Sequence, residues 1–257
     1  MHKETTILID SSESLVVFIH GFMGSPEQFH DLMQIAKRNR FSCISILLPG
    51  HGASWKEFVS HGFESWTTHV KTTIEYYGHN YKYIYLVGHS MGGLLALNAS
   101  LQITIADKIH SVFLIAPPMK TNIFNLKSVY TKIKFLLYPK NHEIKSAYQN
   151  ANSICGGPMF ARLQFIKPIF QFYRLMHHTR NELNEVLVPA TLIFSKNDET
   201  VSLKSINIFK AGLVNSPHTI LVLTHSQHAY YAPEEWGIIL REFSAYLKTH
   251  KAAYNPR

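Results

Sequence analysis

The pentapeptide Gly88-His89-Ser90-Met91-Gly92 puts a serine between two glycines, each two residues away. A serine hydroxyl is a weak nucleophile. A chain that uses one covalently must hold it in a special backbone position and bring it a base, with an acid to orient that base. Residues 83–87, Tyr-Ile-Tyr-Leu-Val, read as a buried strand, and residues 91–101 read as a helix. At such a junction the strand and helix backbones nearly touch two residues either side of the serine. Only glycine fits there, and the hydroxyl is left exposed at the sheet edge. A serine that merely starts a helix after a glycine is the plainer alternative; the strand-to-helix context favours Ser90 as nucleophile.

In sites of this kind the acid and then the base follow the serine in chain order. Ser195-Lys196-Asn197-Asp198-Glu199 follows a strand at 190–194, so Asp198 is the candidate acid, with Glu199 as the fallback. A turn residue or helix cap is the plain reading of Asp198. The strand at 219–223 leads into Thr224-His225-Ser226-Gln227-His228, where both histidines are candidates for the base. His228 is preferred because it stands just before the last helix, whereas His225, nearer the strand end, reads as a surface histidine. The chain has 16 histidines, so no single one is diagnostic by itself; His89 and His51 read as packing or loop-shaping residues.

Acyl transfer also needs donors for an oxyanion. The backbone N–H groups of Met91, after the serine, and of Phe22, in the loop His20-Gly21-Phe22-Met23-Gly24, are the candidates. Glycines flank that loop, as they must if backbone is to approach a substrate closely.

The elements that would position these groups alternate. Strands are predicted at 14–20, 43–48, 83–87 and 111–116, with helices at 25–40, 65–77 and 91–101 between them, and the pattern returns with strands at 190–195 and 219–223 and a helix at 233–247. Such alternation predicts one α/β domain, with a parallel sheet covered by helices on both faces. It divides into a core at 1–116, an insert at 117–189 that reads as a helical cap over the carboxyl ends of the strands, and the rest of the core at 190–257.

The chain of 257 residues is 46% hydrophobic, enough to fill a sizeable core. Cys43 and Cys155 are too few for a disulfide framework and read as free thiols. The first residues fall short of a signal-peptide core, and no apolar run approaches the roughly 20 residues of a membrane span. The chain therefore reads as soluble and cytoplasmic. Its net charge of +8 is concentrated in the insert, where ten Lys or Arg face Glu143, Glu182 and Glu185, leaving +7. Ten aromatics are interleaved with them, including Phe124, Tyr130, Phe135, Tyr138, Phe160, Phe165, Phe170, Phe172 and Tyr173. No nucleic-acid reader motif accompanies the charge, which excludes that class. Weak association with an anionic membrane or micelle through the basic cap is the alternative to a merely solvated face.

Together, His20-Gly21-Phe22-Met23-Gly24, Gly50-His51-Gly52 with Trp66, Gly88-His89-Ser90-Met91-Gly92-Gly93, Asn197-Asp198-Glu199 and Ser226-Gln227-His228 make the chain resemble the small bacterial carboxylesterases and monoacylglycerol lipases of the α/β-hydrolase superfamily. The resemblance covers residues 14–116 and 188–247 and leaves the insert unaligned. It implies the α/β-hydrolase fold with shortened leading antiparallel strands, and a catalytic triad of Ser90, Asp198 and His228. It also implies Phe22 and Met91 as the oxyanion hole and a small ester or monoacylglycerol as substrate, with no cofactor and no metal. Amide, thioester or peptide cleavage on the same triad, and ligand binding without turnover, are the competing readings.

Overall fold

The computed structural model describes residues 2–122, 142–154 and 163–252. Its sheet follows from short runs rich in β-branched residues: β1 (Thr5–Ile7), β2 (Ser14–Ile19), β3 (Ser42–Ile46), β4 (Tyr83–His89), β5 (Ile109–Ile115), β6 (Ala190–Ser195) and β7 (His218–Leu223). The order across the sheet is β1-β3-β2-β4-β5-β6-β7. Among the described strands β1 and β3 pair antiparallel and the others pair parallel. This is the α/β-hydrolase fold expected from the sequence.

Side chains alternate across the strands. Leu15, Val17 and Ile19 of β2 join a core on one face with Trp66, Val70 and Ile74 of α3 (Phe63–Gly78) and with Leu94, Leu95 and Leu97 of α4 (Met91–Gln102). Val16 and Phe18 point the other way, to Leu32 and Ala36 of α1 (His30–Arg38) and Ile239 and Phe243 of α8 (Pro233–Ala252). Cys43 lies in this second core, and burial pushes its thiol up to about 12. Cys155 lies outside the described residues.

Three elements differ in detail from expectation. The predicted helix at 25–40 is a 3₁₀ turn, Pro26–Phe29, followed by α1. The sequence pattern did not predict α2 (Trp55–Ser60), which Ser54 and Glu57 cap reciprocally, or α7 (Lys204–Gly212).

After β5 the chain leaves the sheet and rejoins it at β6. Between them the described residues include α5 (Glu143–Ala151) and α6 (Ile166–Asn181), the latter packed on α3 and α4. Of the insert residues singled out by sequence, Phe124, Tyr130, Phe135, Tyr138 and Phe160, with Lys127, Lys132, Lys134, Lys140 and Arg162, lie outside the described residues. Among the described residues no helix is long and apolar enough to cross a membrane.

After the edge strand β1 the chain passes to β2, then to β3 on one side of it, and from there crosses to β4 on the other. The crevice between the carboxyl ends of β2 and β4 is therefore a topological switch point, where open α/β sheets leave room for a ligand. The Gly21–Gly24 loop leaves the end of β2 and Ser90 follows the end of β4.

Candidate active site

Ser90 sits between β4 and α4 with φ +52° and ψ −121°, a conformation that costs a non-glycine residue roughly 1–3 kcal/mol. The surroundings enforce it. Ser90 N–H donates to Ile115 O at 2.8 Å, and the Gly93 N–H donates back to Ser90 O at 2.9 Å. A Cβ on Gly88 would stand 2.5 Å from the Gly92 backbone, so the strand and helix can approach this closely only as glycines.

The hydroxyl meets His228. Ser90 Oγ lies 3.0 Å from His228 Nε2, and His228 Nδ1 lies 2.9 Å from Asp198 Oδ2. A carboxylate can only accept, so Nδ1 carries the proton and Nε2 offers its lone pair to the serine hydroxyl. Asp198 is itself fixed, because its Oδ1 accepts the N–H groups of Thr200 at 2.8 Å and Val201 at 2.7 Å. Burial alone would lower the His228 ring. The charge and hydrogen bond of Asp198, with the charge of Glu199, outweigh burial and leave the ring above its ordinary value. The structure thus joins Ser90, His228 and Asp198 in one hydrogen-bonded chain. His225 is outside it, exposed, with its N–H on Glu235.

The loop carrying His228 is pinned from below. Glu235, in the first turn of α8, accepts the N–H groups of Thr224 at 2.6 Å, His225 at 3.0 Å and Ser226 at 2.7 Å, and the Ser226 hydroxyl at 2.6 Å. Ser195 Oγ donates to the Ser226 carbonyl. Burial opposes ionisation of Glu235, yet these donors hold its carboxyl down to about 2.

On the opposite side, the Met91 N–H is the first of α4, among the donors that a helix leaves free. A Cβ on Gly21 would lie 3.0 Å from Ser90 Cβ, so the loop holding Phe22 runs directly against the serine. Two histidines shape that loop. His51 Nε2 accepts the N–H of Met23, itself at φ +62°, at 3.1 Å, and His20 Nε2 accepts the Leu48 N–H at 3.0 Å. Both must be neutral to accept, and burial holds His51 down to about 4 and His20 well below its usual value. The Phe22 ring packs on Phe58, Trp66 and Phe172 at 5.1, 6.1 and 5.8 Å, which gives this side an aromatic wall.

Beside the hydrogen-bonded chain lies a cavity of about 370 Å³ lined by Gln28, His89, Ala147, Tyr230, Tyr231 and Trp236, among others. The His89 ring lies 5.2 Å from that of His228. Its Nε2 is 3.2 Å from the His228 carbonyl, an acceptor, so Nε2 carries the proton and Nδ1 is a bare acceptor. Burial, then the neighbouring His228, pushes His89 down to about 3 and keeps it neutral. His89 Nδ1 and Gln28 Nε2 are buried with no hydrogen-bond partner among the described residues. No group of three or more His, Cys, Asp or Glu among the described residues could hold a metal ion.

Sequence reasoning missed several residues that bear on this geometry. Glu199, weighed there only as a substitute acid, accepts the His228 backbone N–H at 3.2 Å. Tyr148, Ser153 and Glu235 carried no motif, and Ser153 reaches the Gly24 carbonyl across the site at 2.6 Å.

A sequence model described as the alpha/beta hydrolase family matches residues 16–238. The chain is 21% identical over 240 residues to a thermostable monoacylglycerol lipase of Bacillus sp. (strain H-257), covering 91% of this chain and 90% of that one. It is 23% identical over 241 residues to putative esterase/lipase 3 of Mycoplasma pneumoniae, covering 86% and 82%. Among solved structures, one from a study of two metagenome-derived lipolytic enzymes superposes with a TM-score of 0.75 at 18% identity, covering 96% of this chain and 98% of that one. The monoacylglycerol lipase of Paleococcus ferrophilus superposes with a TM-score of 0.70 at 18% identity, covering 92% and 94%.

Proposed function

The chain belongs to the alpha/beta hydrolase family, and on that premise we propose that it is a serine hydrolase that cleaves carboxylic esters through an acyl-enzyme on Ser90. The observation that carries this reading is the chain from Ser90 Oγ to His228 Nε2 at 3.0 Å and from His228 Nδ1 to Asp198 at 2.9 Å, with the serine at φ +52°. As Oγ attacks the ester carbonyl, its proton passes to His228 Nε2, and Asp198 stabilises the imidazolium that forms. The carbonyl oxygen becomes an oxyanion held by the N–H groups of Met91 and Phe22. Collapse of the tetrahedral species breaks the C–O bond to the alcohol, which leaves with the proton from Nε2. A water then repeats the sequence: its proton goes to Nε2, its oxygen attacks the acyl carbon, and Ser90 recovers its proton as the acid departs.

The described helices of the insert, α5 and α6, belong in this reading to a cap over the site. The cavity beside His89 takes the alcohol side of the ester. The likeness to a monoacylglycerol lipase over nine-tenths of both chains supports a monoacylglycerol as substrate. The exposed Ile166, Ile169 and Phe170 beside Lys167 at the start of α6 support weak association of the cap with an anionic lipid surface.

The test is an assay of wild type and Ser90→Ala against p-nitrophenyl esters of increasing chain length and against monoacylglycerols, with fluorophosphonate labelling read by mass spectrometry. Wild type turns over esters and labels at Ser90, and the variant does neither. Labelling without ester turnover moves the reading to amides or thioesters; no labelling at Ser90 ends the serine-hydrolase reading and leaves ligand binding.

A further inference from the structure

We propose that Glu199 and Tyr148 are a pair of positioning residues that tie the seating of helix α5 to the setting of His228. This rests on the reading of His228 as general base. Glu199 is buried, and its two oxygens face different parts of the molecule. Oε2 accepts the His228 backbone N–H at 3.2 Å. Oε1 accepts the hydroxyls of Tyr148, from α5, and of Thr200 at 3.1 Å. The Ala229 N–H faces the same Tyr148 hydroxyl, so that one phenol meets the histidine loop both directly and through the carboxylate. Glu143, the first residue of α5, accepts a long hydrogen bond from the Tyr230 hydroxyl at 3.4 Å.

The segment just beyond α5 grips the other side of the site. The Ser153 N–H donates to Met23 O at 2.8 Å and its hydroxyl to Gly24 O at 2.6 Å, while the Gly52 N–H donates to Ser153 Oγ at 3.2 Å. One short helix and its exit therefore touch both the loop of the base and the loop of Phe22. A substrate that displaces α5 pulls on the Tyr148–Glu199 hydrogen bond, and through it on the backbone of His228. A carboxylate buried next to a second carboxylate, that of Asp198, needs such donors, so the bond is one that the fold cannot discard cheaply.

The groups that face His228 are Asp198 and Glu199 after β6, His89 and Ser90 at the end of β4, and Tyr231 on its own loop, with Tyr148 of α5 reaching it through Glu199 and the Ala229 N–H. Of these, Glu199 can lose its charge at constant shape: a glutamine oxygen still accepts the His228 N–H, and its NH₂ meets the Tyr148 and Thr200 hydroxyls, which can turn to accept.

The experiment compares wild type, Tyr148→Phe, Glu199→Gln and Glu199→Ala. It reads kcat and KM on a short ester, the pH dependence of Ser90 labelling by a fluorophosphonate, and the low-field proton NMR resonance of the His228–Asp198 hydrogen bond. Tyr148→Phe lowers kcat and the labelling rate about tenfold at nearly constant KM and broadens the proton resonance. Glu199→Ala does the same or more. Glu199→Gln keeps most of kcat, because its amide oxygen still accepts the His228 N–H while its NH₂ donates to the Tyr148 hydroxyl, but moves the acid limb of labelling to lower pH. Wild-type kcat, acid limb and resonance in folded Tyr148→Phe and Glu199→Ala overturn the coupling, as does a loss confined to KM. If wild-type Ser90 itself does not label, the serine-hydrolase reading fails, and the resonance still decides whether Tyr148 sets the histidine.

Discussion

The backbone of Gly92 presses so closely on the end of β2 that a Cβ there would sit 1.9 Å from the carbonyl oxygen of Ile19. Neither partner can yield, because Ile19 is paired with Gly88 in the central ladder. Gly92→Ala therefore destabilises the protein by about 3 kcal/mol or more, read as a lower urea midpoint, and abolishes Ser90 labelling. A variant of wild-type stability would show that the close approach is not needed.

Asp198 uses one oxygen for two backbone N–H groups and the other for His228. In Asp198→Asn the side-chain oxygen keeps the Thr200 and Val201 donors, so the NH₂ group turns to His228 Nδ1 and donates to it. The imidazole is then forced to carry its proton on Nε2 and can no longer accept from Ser90. A fall in kcat of about 10⁴-fold with the fold retained is expected; a loss below tenfold would mean that the tautomer is set by something else.

The acid limb of kcat/KM for an uncharged ester lies above the value of an ordinary histidine, about 6.5. Asp198 and Glu199 outweigh the burial of His228 and raise its ring, and protonation of Nε2 removes the acceptor for Ser90. A pH profile with its acid midpoint below that of a free histidine would contradict this electrostatic balance.

Glu235→Gln leaves several N–H groups of residues 224–226 with one acceptor where two charged oxygens stood, at a cost of about 3 kcal/mol at neutral pH. The sign of its pH dependence follows from a carboxyl held down to about 2. The contribution of Glu235 is complete above the ordinary glutamate value, about 4.3, and is lost as pH falls from there through about 2. The stability gap between wild type and variant should narrow over that window in denaturant titrations; a gap constant from pH 7 to pH 2 would rule the charge out as its source.

Hydrolysis of a micellar ester accelerates when anionic lipid is added and loses that gain in concentrated salt, since exposed charges such as Lys167 act over only a Debye length of about 10 Å at 0.1 M. Equal rates with neutral and anionic lipid would leave the charges of the cap as a solvated face.

What the sequence determined by itself is local. Alternating apolar runs specified the strands and the parallel sheet, because burial on both faces leaves its mark residue by residue. The glycines around Ser90 announced the strand-to-helix turn, because its crowding comes from chain neighbours and from β2 running alongside. The same local view could not choose between Asp198 and Glu199, or between His225 and His228, except by position, because each pair shares one loop. Packing β6 and β7 beside β5 leaves the Asp198 carboxylate and the His228 ring within reach of Ser90, and turns Glu199 to a backbone N–H and a tyrosine of the insert. Tyr148, Ser153 and Glu235 were invisible in advance for the same reason. Their partners stand 51, 129 and 9 residues away, and a hydrogen bond between such groups exists only once the tertiary fold has brought them together.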